Sequence, residues 1–357
     1  MSVFRYPFAF TEDDANEIKG SLDLEEPLPF ENNRGSGFFR PGRLTLEGCE
    51  SLNLVFYHSQ ATAALMYLRN LPVDRRLMEF TGLDADYVAQ TRQLILPGQL
   101  CLGSHRSKLM GAAISDVIGS PAMSARLKGC QQQNIAVFPI AREGLKYQAT
   151  EAIFDNYGFY CDEIILDAHH VFDSSVPVYN RKVEMTLFKD KDLDISQKQN
   201  IAVAFIADSI ASGLVMKETI LKVKERFSAI ERIEVLAPLA TIRGLSRLAR
   251  GDCAQKLGTR VHVFETILNA LPPDYYYSAH YNVPELHIRP DLEKEYREWW
   301  GRDSAGNWIA DTACAGYGWS ESFFSPRKQI EMINSQLESR HQLKIAEIIE
   351  RNIDRFS

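Results

Sequence analysis

Up to about residue 50 the hydrophobic positions follow no period. Pro27, Pro29 and Pro41, together with several glycines, break the chain into short pieces, so an irregular segment is expected there. From 51 to 130 apolar residues recur at helix-like intervals. Leu52, Leu54, Val55, Tyr57 and His58 lead into a run over 61–71, and further runs follow over 74–80, 84–95 and 109–117. The pattern predicts a mostly helical N-terminal region over 1–130. Beyond it, short β-like runs alternate with amphipathic ones. Strands are expected over 134–140, 162–171, 176–188, 201–207, 233–240 and 259–264, and helices over 143–156, 216–227 and 242–250. Strands separated by helices predict an α/β fold, a mainly parallel sheet covered by helices, with its core over 131–271. The remainder, 272–357, interrupts that rhythm. An aromatic insertion opens at Pro272-Pro273, a helix follows over 288–301 with Trp299 and Trp300, and Ser325-Pro326 starts a C-terminal helix.

Composition narrows the class. The chain has 357 residues, 45% of them hydrophobic and 24% charged, as in soluble globular proteins, which excludes disordered and fibrous types. A net charge of −7 argues against a broad nucleic-acid-binding surface. The six cysteines are scattered without a C-x-x-C pair, as expected for reduced thiols in a cytoplasmic protein. The aromatic first ten residues do not read as a signal peptide, and no apolar run approaches the length of a membrane helix.

The strongest chemical signal is Val203-Ala204-Phe205-Ile206-Ala207-Asp208-Ser209-Ile210-Ala211-Ser212-Gly213. A buried strand ends in an acid, a turn of small residues follows, and a helix begins. Small residues let peptide N–H groups approach an anion, and the helix start adds a favourable dipole. Ser212 can add a hydroxyl donor, and Asp208 can accept hydrogen bonds from sugar hydroxyls. Weaker candidates are the arginines of 33–43 (Arg34, Arg40, Arg43), as a mobile loop that closes on an anion or as a solvated loop; His105, Arg106 and Lys108, beside a phosphate or at an exposed helix start; His169 and His170, which alternate across a strand; and Arg181-Lys182, at the tip of a hairpin.

The 203–213 segment resembles the ribose-phosphate signature of type I phosphoribosyltransferases, most closely that of uracil phosphoribosyltransferases. A second stretch, Val137-Phe138-Pro139-Ile140-Ala141-Arg142-Glu143-Gly144-Leu145, is similar to the family's pyrophosphate-facing V-P-I-L-R-A-G-L, about 65 residues upstream as in the family. A looser third match is 233–244. The resemblance implies a phosphoribosyltransferase-like core. It also implies transfer of a phosphoribosyl group from 5-phosphoribosyl-1-diphosphate to a nitrogenous base, with Mg²⁺ held mainly through the substrate, and a homodimer. Carried over by position, Ala211, Ser212 and Gly213 would hold the 5′-phosphate, with Ser209 and Ile210 in the same loop. Asp208 would face the ribose and act in catalysis, and Arg142, Glu143 and Gly144 would face the pyrophosphate.

The chain also departs from the pattern. Leu214-Val215 stands where the family has Gly-Ser or Gly-Thr, and Lys217 in the following turn is a candidate replacement charge. The family's acidic base-binding segment has no clean counterpart; Gly316, Tyr317 and Gly318 occupy its place in order. Two alternatives therefore stay open: a non-catalytic sensor of a phosphoribosyl ligand, and a transferase using another phosphorylated sugar.

Overall fold

The computed structural model describes residues 21–66, 103–141, 143–175, 181–187, 200–251, 258–268, 288–309 and 326–352. Among them, nine strands form one sheet. In spatial order these are β1 (Leu22–Leu24), β3 (Gly35–Leu44), β4 (Leu52–His58), β11 (Thr259–Phe264), β10 (Arg232–Leu236), β9 (Val203–Ala207), β5 (Ile135–Pro139) and β6 (Asp162–Glu163), with β2 (Leu28–Asn32) also paired to β3. From β4 through β6 all neighbours are parallel; β1, β2 and β3 add an antiparallel edge. The fold is thus mixed α/β with a mainly parallel sheet flanked by helices, the class expected from the sequence.

The sheet's two faces follow from the two-residue repeat of the strands. On β5 and β9, Ile135, Val137, Val203, Phe205 and Ala207 point to one side. There they meet α1 (Gln60–Met66), α2 (Gly103–Ile118), α3 (Pro121–Leu127) and α4 (Ala149–Tyr157). Ala136, Phe138, Ala204 and Ile206 point to the other side, against α5 (Leu214–Arg226) and α6 (Ile242–Arg250). Every residue of β5 and β9 is buried, as central parallel strands covered on both faces require. The C-terminal helices α7 (Pro290–Trp300), α8 (Pro326–His341) and α9 (Ile345–Asn352) send Leu292, Trp299, Trp300, Leu337 and Ile348 into the first of these cores.

Several elements differ from the expectation. Residues 21–50 are not irregular: they build β1, β2 and β3, with Pro27 between two strands and Pro41 inside β3. Leu52–His58 is a central strand, not a helix start. A short continuous apolar run carries no period that separates the two, and the buried pairing with β11 decides it. The sheet therefore runs across residue 130 and takes β1–β4 from the N-terminal region.

Two further predicted elements are split. The helix over 143–156 begins as a 3₁₀ turn (Gly144–Tyr147) and breaks at Gln148, whose φ is +54°, before α4. The strand over 162–171 separates into β6, in the main sheet, and β7 (Leu166–Phe172), which pairs antiparallel with β8 (Arg181–Leu187) in a two-stranded sheet. Within 176–188, only 181–187 is described. The helical runs expected over 74–80 and 84–95 lie outside the described residues. No described helix is long and apolar enough to cross a membrane.

Candidate functional site

The carboxyl ends of parallel strands are where open α/β sheets gather ligands, and β5 and β9 are neighbours there. After β5 the chain turns at once: Ile140 N–H donates to Ala207 O at 3.1 Å, and Gly144 N–H to Ile140 O at 3.1 Å. Gly144 is demanded by space, since a Cβ there would stand 2.0 Å from Ala207 O. After β9, Asp208 N–H donates to Leu236 O and Ile210 N–H to Leu239 O, so the second turn is stitched to the segment following β10. Gly213 closes this turn with φ of +74° and caps α5; a Cβ on it would meet Gly244 O at 2.6 Å.

The turn is pinned from outside. Thr241 Oγ donates to Ala211 O at 2.5 Å and Arg247 Nη1 to Ser212 O at 2.6 Å. These bonds use carbonyls. Among the described residues, the N–H groups of Ala211, Ser212 and Gly213 make no hydrogen bond. Ser212 is buried, and its Oγ accepts a long bond from Leu214 N–H, at 3.4 Å. The result is three successive peptide donors at the start of a thirteen-residue helix, an arrangement suited to an anion.

The two turns also meet through side chains. Ser209 Oγ donates to Glu143 Oε1 at 2.6 Å, Tyr147 Oη to the same oxygen at 3.0 Å, and the two hydroxyls lie 2.8 Å apart. Asp208, partly buried beside them, has its carboxyl pushed well above the usual range, first by burial and then by the Glu143 charge. Tyr147, fully buried, is pushed up for the same two reasons, in the same order.

Thus the turns holding Glu143, Gly144 and Asp208–Gly213 are neighbours at the ends of β5 and β9. Arg142, Gly316, Tyr317 and Gly318 lie outside the described residues. Leu214 and Val215 open α5, and Lys217 lies in its first turn, with its N–H on Gly213 O at 3.0 Å.

The arginine-rich segment is a paired hairpin and strand, not a loop. It forms the β2–β3 hairpin and strand β3; Arg34 pairs with Asp116 at 2.9 Å, and Arg40 donates to Glu25 O. His169 and His170 are exposed on β7, and His169 faces Asp167 and Glu184 at 3.9 Å. Lys182 pairs with Glu184 at 3.4 Å. No set of three or more metal-ligating side chains converges among the described residues.

Sequence reading missed Tyr147, which only its position in the 3₁₀ turn brings to the site. It also missed a polar cluster farther along the same edge, after β4 and β11. There His58 Nδ1 lies 3.0 Å from both oxygens of the fully buried Glu265, and Thr62 Oγ donates to Glu265 Oε1 at 2.6 Å. The backbone of Glu265 is left-handed, at φ +59°.

No protein-family model and no curated protein sequence matches the chain. Solved structures with a partial likeness include an adenine phosphoribosyltransferase from Trypanosoma brucei in complex with AMP, pyrophosphate and ribose 5-phosphate. That match has 14% identity and a TM-score of 0.30, and spans 44% of this chain and 65% of the other, just under two thirds of its length. A hypoxanthine phosphoribosyltransferase from Staphylococcus aureus matches at 14% identity and a TM-score of 0.28, over 43% of this chain and 73% of its own. A hypothetical protein from Neisseria gonorrhoeae with bound ppGpp matches at 13% identity and a TM-score of 0.30, over 46% and 89%.

Proposed function

We propose that the protein transfers a phosphoribosyl group from 5-phosphoribosyl-1-diphosphate to a nitrogenous base and releases pyrophosphate. The observation that carries this reading is the row of unused peptide donors at Ala211, Ser212 and Gly213, one strand away from the Ile140–Gly144 turn. The first would take the 5′-phosphate. The second, with Arg142, Glu143 and Gly144, would face the diphosphate. Asp208, between them at the end of β9, would accept hydrogen bonds from the ribose hydroxyls, with Ser209 and Ile210 shaping the loop around it.

In such a reaction the bond from C1 to the pyrophosphate oxygen breaks, and its electron pair leaves with pyrophosphate. A ring nitrogen of the base bonds to C1 and sheds a proton. The positive charge that builds on the ribose is stabilised by nearby carboxylates, and the rest is positioning. Asp208 and Glu143 offer hard oxygen donors that suit Mg²⁺; bound there chiefly through substrate oxygens, it would neutralise charge on the diphosphate. Gly316, Tyr317 and Gly318 are the proposed base-side segment, with uracil as one acceptor to test.

The test is pyrophosphate release from phosphoribosyl diphosphate and Mg²⁺ with a panel of free bases. Release with one base and not without it supports transfer. Thermal stabilisation by the diphosphate with no release by any base would replace transfer with a sensing role. No stabilisation and no release would remove the reading altogether.

A further inference from the structure

The cluster after β4 and β11 has an internal logic of protons. Arg289 Nη1 lies 2.8 Å from His58 Nε2. A guanidinium only donates, so Nε2 accepts and carries no hydrogen. The ring hydrogen is therefore on Nδ1, directed at Glu265, and the imidazole is held as one tautomer. Three further features fix it there. Thr62 occupies Glu265 Oε1 at 2.6 Å, and Phe38 packs its ring 4.9 Å from the His58 ring. The Glu265 backbone, at φ +59°, is tied by its N–H to Tyr57 O and by its carbonyl to Ile288 N–H. A glutamate in that conformation costs of order 1 kcal/mol, and strain of this kind gathers at ligand sites.

The outer end of the relay lies near solvent. Arg289 is held by a two-point bond to Asp291, at 2.8 and 2.5 Å, and both side chains reach the surface. A ligand N–H can take the place of the Arg289 N–H on His58 without leaving an acceptor unpaired, and the guanidinium is then beside it to donate to a ligand oxygen. The pair is one acceptor next to one donor, and its complement is an N–H adjacent to a C=O.

We propose that His58 and Arg289 form a recognition site for the lactam edge of a ligand, with Glu265 and Thr62 as its positioning residues. The inference rests on the transfer reading for its place in a reaction. His58, at the end of β4, is three strands from Asp208, about 14 Å along the carboxyl edge, a span that the two side chains cover with a ribose and its base between them. His58 and Arg289 then set which acceptor is taken.

The test is nitrogen-15 NMR of the histidine-labelled full chain, which has eight histidines. The probes are 2-pyridone and N-methyl-2-pyridone at millimolar concentration, with ribose 5-phosphate present. The expected result is a shift of the His58 Nε2 signal with 2-pyridone and none with the N-methyl compound, and weakening of that response by about tenfold in Arg289→Lys. Glu265→Gln should move the Nδ1 signal of the unliganded ring while Arg289 keeps the Nδ1–H tautomer, because a neutral amide oxygen holds that hydrogen less strongly than a carboxylate, a change that a glutamate not bonded to the ring would not produce. No His58 shift with 2-pyridone, or equal shifts with both compounds, overturns the inference. Ribose 5-phosphate is read separately, at the amides of Ala211, Ser212 and Gly213. A silent loop with a responsive His58 sinks the transfer reading and keeps this site; the converse does the opposite.

Discussion

Ser209 and Glu143 are joined by a 2.6 Å hydrogen bond across two neighbouring strand ends, so the two turns that face the proposed diphosphate are not independent. Glu143 accepts from Tyr147 as well, which makes one carboxylate oxygen the common anchor of both turns. The same carboxylate would repel a polyanion. Glu143→Gln keeps the shape, removes the charge and is expected to tighten the binding of pyrophosphate without Mg²⁺ several-fold in calorimetry, an effect of about 1 kcal/mol. Weaker binding would mean that the carboxylate assists the ligand.

Asp208→Asn should separate stability from activity. The carboxyl is raised above its unfolded value by burial and by Glu143, so its ionisation opposes folding. Its contribution is favourable at low pH and lost as pH rises through the folded value. The neutral variant is therefore expected to melt at or above the native temperature at pH 7, with turnover reduced by roughly 10² or more if Asp208 stabilises the charged ribose. A melting scan beside a pyrophosphate assay reads both. Full activity in the variant would take Asp208 out of the site.

A second buried network predicts the acid limb of stability. His262 Nε2 lies 2.8 Å from Glu234 Oε2, and both side chains are fully buried. The Glu234 carboxylate only accepts, so His262 Nε2–H donates to it, and Nδ1 of the neutral ring accepts from the Tyr57 hydroxyl at 3.0 Å. Burial holds the imidazole below its usual value despite Glu234. Burial alone would raise Glu234, but the His262 bond and Arg126 outweigh it and hold the carboxyl below its usual value. Both groups bind protons more readily when unfolded. Their stabilisation is complete above about pH 6.5 and declines below it, first through His262 and then, under about pH 4.5, through Glu234. Urea midpoints at several pH values between these limits should fall steadily in the native chain and less in His262→Gln. A flat profile would contradict the neutral assignment of His262.

Gly144→Ala tests the turn itself. A Cβ 2.0 Å from Ala207 O has no flexible neighbour to displace, so β9 and the turn must separate. The expected loss is about 1–3 kcal/mol or more, read as a lower chemical-denaturation midpoint, with anion binding at Ala211–Gly213 weakened alongside it. A stability equal to that of the native chain would mean the turn yields without cost.

How much of this was legible depends on which forces set each feature. The β9 strand, the acid at its end and the small-residue turn announced themselves, because an apolar run, a glycine with positive φ and a helix start each leave a local trace: Val203–Ala207, Gly213 and Leu214–Arg226 lie close to where the pattern put them. The Gly144 turn was legible for the same reason. Leu52–His58 was not. Its side chains suit a buried helix or a buried strand, and the choice came from β11, some 200 residues away. The arginines of 33–43 read as a loop, either closing on an anion or solvated, and Asp116 on α2, beyond the reach of any local pattern, takes Arg34.

The amino-acid order by itself determined the α/β class and the two turns, since backbone conformation and burial of short segments are decided by neighbours in the chain. Only the tertiary structure decided that β1–β4 complete the sheet, that Tyr147 and Ser209 share Glu143, and that His58 meets Glu265 and Arg289. The bonds of Ser209 to Tyr147 and Glu143, and of His58 to Glu265 and Arg289, join residues 62 to 231 positions apart, and a hydrogen bond at that separation is specified by where strands are packed, which no local periodicity encodes.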